Sequence, residues 1–211
     1  MPTLTLRPIA DIAKSGTISY SSGTSAYAMI SEVTADDATT TVKFSSANAS
    51  STTTSYIKCQ LTNSINTNYN VSAVRVYVRW IHSLGTNNSF NAGVAAGSNS
   101  AITVSRPSIP TAYETQTFTM PTSLITQINS GAKQLYLYIS CTETGDGSKT
   151  VGQSLVTQAY IEVDYTEIQK VYIKVDGTWH TSSSVLVKVD GAWKTMSTLK
   201  VKVSDIWHTG Q

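Results

Sequence analysis

Between residues 173 and 207 one short phrase is written three times at a spacing of 14 residues: Val175-Asp176-Gly177-Thr178-Trp179, Val189-Asp190-Gly191-Ala192-Trp193 and Val203-Ser204-Asp205-Ile206-Trp207. Lys174, Lys188 and Lys202 keep the same register, and three of the four tryptophans belong to the array. A fixed period of this length marks one small supersecondary unit repeated, each copy too short to bury its own apolar side. The largest apolar side chains are thus committed to a scaffold, and no acid, base or metal cluster stands beside them. Such an array points to a structural or binding protein rather than an enzyme.

The turn inside each copy admits two registers. With Asp176-Gly177 as a two-residue hairpin loop, both residues need positive φ, Val175 pairs with Thr178, and Trp179 falls opposite Lys174. With Val175-Asp176-Gly177 as a three-residue loop closed by a left-handed residue, Ile173 pairs with Trp179 and each hairpin gains a single apolar face. Ser204-Asp205 suits two positive-φ positions poorly, whereas Asp205 can take the one left-handed site that Gly177 and Gly191 fill. The expectation is therefore the three-residue loop, with Trp179, Trp193 and Trp207 as the structural core of the repeat. A lone two-stranded hairpin is marginal in water, so the three are expected to pool their apolar faces, within one chain or against neighbouring chains.

Upstream the dominant signal is alternation. Val74, Val76, Val78 and Trp80 alternate with Arg75, Tyr77 and Arg79. Leu135, Leu137, Ile139 and Cys141 alternate with Tyr136 and Tyr138, and Ala159, Ile161, Val163 and Tyr165 with Tyr160, Glu162 and Asp164. One apolar and one polar face per strand is the pattern of stacked antiparallel sheets. Further strands are expected over 3–7, 17–21, 26–32, 40–45, 56–61, 102–105 and 115–120, with a short helix over 123–130 stopped by Gly131 and a turn over 142–148. The fold class is all-β: an antiparallel jelly-roll β-sandwich over residues 1–167, followed by a small module of three 14-residue β-hairpin repeats over 168–211.

Composition narrows the function classes. Only 13% of residues are charged, the net charge is +2, and no block of lysine and arginine appears, which speaks against a nucleic-acid partner. No run approaches the roughly 18 apolar residues of a membrane span. The opening Met1-Pro2-Thr3-Leu4-Thr5-Leu6-Arg7 lacks a basic stretch followed by an apolar one, so synthesis in a cytosol is expected. In that compartment Cys59 and Cys141 are expected as buried free thiols.

Candidate chemistry is thin. No nucleophile elbow, zinc-ligand pair or phosphate-binding glycine loop occurs. His180 and His208 are repeat-equivalent to Lys194, which marks a solvated face; His82 ends a strand. Glu162 with Asp164 shares one strand face at i, i+2, a spacing compatible with the roughly 5 to 9.5 Å of a glycosidase pair. Asp36-Asp37 and Glu143 with Asp146 are hard-oxygen candidates for calcium. Solvated carboxylates are the commoner case for all of these, and no catalytic residue, metal or cofactor is expected. The strongest recognition candidate is a glycan-binding face of Tyr77, Tyr136, Tyr138 and Tyr160 with Arg75 and Arg79, which alternation allows to line one sheet. Tyrosine rings offer apolar area to a sugar ring while their hydroxyls keep hydrogen bonds. The same residues would also serve as ordinary β-surface or as an oligomer interface.

Ile173-Lys174-Val175-Asp176-Gly177-Thr178-Trp179 and Val187-Lys188-Val189-Asp190-Gly191-Ala192-Trp193 resemble the tandem copies that close many structural proteins of tailed bacteriophages. Leu6-Arg7-Pro8-Ile9-Ala10-Asp11, Ile30-Ser31-Glu32 followed by Asp36-Asp37, and Tyr160-Ile161-Glu162-Val163-Asp164-Tyr165 are similar to jelly-roll virion modules. The third repeat departs from the pattern with Ser204-Asp205. The resemblance implies a non-enzymatic virion protein on the particle surface (tail, collar, fibre or capsid decoration), made in the host cytoplasm. It further implies other virion proteins as partners, a homo-oligomer with a trimer favoured, and host cell-surface polysaccharide as a contact. The runner-up expectation is a carbohydrate-binding module for bacterial glycans.

Overall fold

Alternating burial along the upstream strands closes two antiparallel sheets on one another. The computed structural model describes residues 1–168 apart from 38 and 149, and beyond them the backbone of six strands between 171 and 209. By contacts the chain divides into two units, Met1–Thr166 and Glu167–Gln211.

The first unit runs β1 (Thr3–Leu6), β2 (Pro8–Ser15), β3 (Ile18–Tyr20), α1 (Ala26–Ile30), β4 (Val42–Ser45), β5 (Thr52–Leu61), β6 (Tyr69–Leu84), β7 (Thr86–Ala96), β8 (Ile102–Ser105), β9 (Glu114–Thr119), α2 (Thr122–Asn129), β10 (Leu135–Thr144) and β11 (Gln153–Glu167). A six-stranded sheet has the order β3-β4-β11-β6-β9, with β1 also paired to β11; a five-stranded sheet has the order β2-β5-β10-β7-β8. The eight strands from β4 onward form two four-stranded layers, β4-β11-β6-β9 and β5-β10-β7-β8, which is the jelly-roll order. The all-β sandwich expected from alternation is the fold that forms.

Between the layers the inward side chains pack as one core. Trp80, Phe90 and Phe118 are among its largest fully buried members. Trp80 stacks on Phe90 with centroids 3.9 Å apart, and its Nε1 donates to Gln116 Oε1 at 3.0 Å, so its one polar atom is satisfied. Burying a side chain of this size stabilises the fold by about 2–3 kcal/mol.

Two local expectations are corrected. The segment over 26–32 was expected as a strand; residues 26–30 form α1 because the Asp11 carboxylate, on β2, accepts from the backbone N–H groups of Ala26 and Tyr27 at 2.8 Å each. A carboxylate on first-turn donors satisfies groups that a helix start otherwise leaves open. The turn expected over 142–148 begins later: β10 continues through Thr144, and Glu143 lies buried on its inward side.

The second unit holds three hairpins: β12 (Val171–Val175) with β13 (Thr178–Ser182), β14 (Leu186–Val189) with β15 (Ala192–Thr195), and β16 (Lys200–Val203) with β17 (Ile206–Thr209). Their register overturns the three-residue loop. Val175 pairs with Thr178 and Trp179 with Lys174; Trp193 pairs with Lys188 and Trp207 with Lys202. Two residues therefore connect each pair of strands. An Asp-Gly pair favours this connection because the twist of primed two-residue turns matches that of the strands, and the third copy follows the same register with Ser204-Asp205. Ile173 is thus the partner of His180, not of Trp179. The side chains of Trp179, Trp193 and Trp207, and the residues Gly177, Gly191 and Asp205, lie outside what the structure describes.

Candidate functional site

The expected tyrosine face is divided between two sheets. Arg75, Tyr77 and Arg79 on β6 and Tyr160 on β11 belong to the six-stranded sheet, whereas Tyr136 and Tyr138 on β10 belong to the five-stranded one. Six residues that alternation placed together thus form two groups on opposite outer surfaces of the sandwich.

On the six-stranded sheet the polar groups satisfy one another. Tyr77 and Tyr160 stack at 4.8 Å, and the Arg7 guanidinium lies 4.9 Å above the Tyr160 ring. Arg75 Nη1 donates to Asp164 Oδ2 at 2.7 Å and its Nη2 reaches Glu162 at 3.5 Å; Arg79 Nε donates to Asp37 Oδ1 at 2.7 Å. The bond from Arg75, with a second from Thr3, holds the Asp164 carboxyl down at about 2, and the bond from Arg79 lowers Asp37 in the same way. Glu162 and Asp164, the one i, i+2 carboxylate pair, share a single arginine. Around Arg75 and Arg79 the charges of this surface are paired with one another.

The five-stranded sheet presents an open groove instead. Tyr56 and Tyr138 stack with centroids 5.3 Å apart, and Lys58, directly opposite Tyr138 across β5 and β10, carries its ammonium 4.6 Å from the centroid of Tyr136. A cavity of about 650 Å³ opens over this pair, with Ser140 on β10 and Thr103 on β8 among its lining groups and Asn99 and Ser100 entering from the preceding loop. Local sequence explains the shape. On β5, Tyr56 and Lys58 point outward because Ile57, Cys59 and Leu61 take the core side. On β7 the residue opposite both Tyr138 and Thr103 is Gly93. A Cβ there would collide with the Ile102 carbonyl oxygen and stand 2.8 Å from Thr103 Cα, so only glycine lets β8 approach and wall the groove. Partial burial, and secondarily Tyr56, raise the Tyr138 phenol above its ordinary range, so it remains a neutral donor. Flat rings flanked by hydroxyl and amide groups can hold a polyhydroxylated ring by its apolar face and its edge at once.

Sequence reasoning named Tyr136 and Tyr138 for this surface and missed Tyr56, Lys58, Thr103 and Gly93. The outward alternation of Tyr56 and Lys58 was visible in Tyr56-Ile57-Lys58-Cys59-Gln60-Leu61. Their pairing with β10 was not, since Lys58 meets Tyr138 from 80 positions away and Tyr56 meets Ser140 from 84.

The remaining polar candidates are engaged elsewhere. Asp36 accepts from the backbone N–H groups of Thr39 and Thr40, and Asp146 from those of Ser148 and Thr150. Glu143 is 1% exposed and accepts from Asn87, Ser154 and Cys141, with His82 Nδ1 3.5 Å from its other oxygen. Among the described residues no group of three or more histidine, cysteine or acidic side chains is placed to hold a metal ion. Cys59 and Cys141 are buried free thiols.

The fold and groove define a jelly-roll β-sandwich with an open aromatic and polar surface on its five-stranded sheet. No family model and no curated protein sequence matches the chain. Among solved structures, the chain is similar to TmCBM61 in complex with beta-1,4-galactotriose, at 8% identity and a TM-score of 0.38 over 69% of this chain and 86% of that one. A likeness of that degree says nothing about what this chain binds.

Proposed function

We propose that the protein is a non-enzymatic surface component of a tailed-phage particle whose jelly-roll unit attaches to host-surface saccharide through the groove of the five-stranded sheet. The observation that carries the binding reading is the stacked Tyr56–Tyr138 pair, which lines a 650 Å³ cavity together with hydroxyl and amide groups. Aromatic platforms of this kind retain their hydrogen-bonding tips in water while offering apolar area, which suits a wet, reversible contact with sugar rings. The non-enzymatic reading is supported by four of the acids the sequence singled out: Asp164 and Asp37 are paired with arginines, Asp36 is turned into its own loop and Glu143 is buried.

The virion setting rests on the repeat and on the resemblance of its phrases to those that close phage structural proteins. Two-stranded hairpins of four or five residues per strand are marginal alone, so association of the repeat module into a homo-oligomer, a trimer by preference, goes with this reading. Gel electrophoresis through polysaccharide extracted from bacterial envelopes tests the binding: the full chain is expected to be retarded, and Tyr138→Ala to migrate freely. Free migration of the unaltered chain in every such polysaccharide would overturn it. Light scattering in solution tests the oligomer.

A further inference from the structure

Resting on the reading of the groove as a saccharide site, we infer that its ligand is an acidic saccharide, bound with its anionic group at Lys58. The arginines of β6 and the lysine of the groove differ in how their charge is met. On the six-stranded sheet both arginines of β6 have carboxylate partners within 3.5 Å. Among the groove-lining residues Lys58 is the one charged side chain, no carboxylate accompanies it, and no ion pair among the described residues engages it. Its ammonium lies over the π-face of Tyr136. A ring face attracts a cation without neutralising it, so the positive charge stays available to a ligand while its position is fixed.

The position matters as much as the charge. The Lys58 backbone lies opposite Tyr138, and the ammonium reaches toward Tyr136, two residues along the same strand and therefore roughly 7 Å away. A sugar ring laid on Tyr138 then carries a substituent on its edge toward the ammonium. A carboxylate or phosphate there gains a charge-assisted hydrogen bond, while a neutral hydroxymethyl gains an ordinary one. Ser140 and Thr103 add neutral hydroxyls that accept or donate to either kind of ring, so the discrimination falls to Lys58. The shared chemistry is one oxyanion on a pyranose-like ring; uronic acids and phosphodiester-linked glycans both supply it.

The experiment is affinity electrophoresis of the full chain in gels containing polygalacturonate, the same polymer with its carboxyls reduced to alcohols, or a phosphodiester-linked glycan polymer, run with the unaltered chain, Lys58→Met, Lys58→Arg and Tyr138→Ala. The expected result is retardation by at least one acidic polymer, weakened about tenfold both by carboxyl reduction, where the uronate is the binder, and by Lys58→Met. Lys58→Arg keeps most of the retardation, and Tyr138→Ala loses it although the charge is intact. Which acidic polymer retards distinguishes carboxylate from phosphate. Equal retardation by the reduced polymer, unchanged by Lys58→Met, overturns the acidic-ligand inference and leaves the saccharide groove standing. Retardation by acidic polymers that survives Tyr138→Ala, or no retardation in any gel, overturns the groove reading itself. Circular dichroism of each variant keeps a folding defect from being scored as a binding one.

Discussion

Asn87 and Glu143 meet inside the sandwich, with Asn87 Nδ2 2.6 Å from Glu143 Oε1. The contact depends on an irregularity: the β7–β10 register shifts between Thr142 and Glu143, so Asn87 rather than Asn88 turns toward the core beside the carboxylate. Ser154 and Cys141 donate to the same oxygen at 2.5 and 2.9 Å. Glu143→Leu removes the acceptor shared by three buried donors and is expected to destabilise the fold by roughly 3 kcal/mol, since each stranded donor keeps its desolvation cost. Glu143→Gln keeps one acceptor oxygen and should cost about half as much. Urea denaturation of both variants checks the order; a Glu143→Leu protein as stable as the native one would refute the node.

Acid should loosen the outer ion pairs of the six-stranded sheet before the core. Asp164 is held at about 2, against an ordinary 3.8, chiefly by the hydrogen bond from Arg75. A carboxyl depressed in the folded state contributes stability that is complete above its unfolded value, near pH 4, and is lost as pH falls through its folded one. Asp37 shifts in the same direction through Arg79. Stability from these pairs is therefore expected to be level above about pH 5 and to fall between about pH 4 and pH 2. Asp164→Asn should cost about 1 kcal/mol at neutral pH, the partly solvated setting limiting it, and should shrink the acid loss. Denaturation midpoints at several pH values measure both effects; an acid loss undiminished in Asp164→Asn would assign it elsewhere.

The thiols should be chemically silent in the native protein. Burial is the foremost cause raising both Cys59 and Cys141 well above the ordinary thiol range, and Asp11 and Glu143 respectively push them further in that direction. Since the thiolate is the nucleophile, neither is expected to alkylate with iodoacetamide at pH 8, and both are expected to react once the chain is unfolded. Intact-mass spectrometry reads the number of adducts. One adduct on the folded chain would show that an inward strand position opens to solvent.

What could be seen in the sequence was what is local. Val74 to Trp80 alternates with period two, and the core side of β6 followed from that alone; the helix over Thr122–Asn129 lay in a compact apolar pattern stopped by Gly131. Residues 26–30 were misread because the group that makes them helical, Asp11, stands 15 positions away from Ala26. Tyr77 and Tyr138 have equal alternation, yet which sheet each joins is decided by long-range pairing: β6 borders β9 and β11, β10 borders β5 and β7. In the repeat, the fit of Asp205 to a single left-handed site pointed to the three-residue loop, whereas the observed strand pairing is that of the two-residue connection. The groove depended on a missing side chain, Gly93, whose meaning appears only when β8 is seen to press against it.

That glycine gives the sharpest structural test of the groove. Gly93 sits on β7 opposite Tyr138 on one side and Thr103 on the other, and its extended backbone needs no special freedom; the constraint is space. Gly93→Ala places a methyl where the Ile102 carbonyl oxygen and Thr103 Cα already stand, both of them backbone atoms that cannot rotate aside. β8 must shift outward, and with it the Thr103 wall of the cavity. Overpacking against backbone is expected to cost about 1–3 kcal/mol. Saccharide retardation should weaken as well, although no ring or lysine has been altered. By contrast Gly131→Ala, with no atom within 4 Å of the added methyl, leaves the groove untouched even though its positive φ lowers stability. Comparing thermal midpoints and retardation for the two variants separates the effects: Gly93→Ala should lose both and Gly131→Ala stability only. Full retained binding in Gly93→Ala would mean that the wall formed by β8 takes no part in recognition.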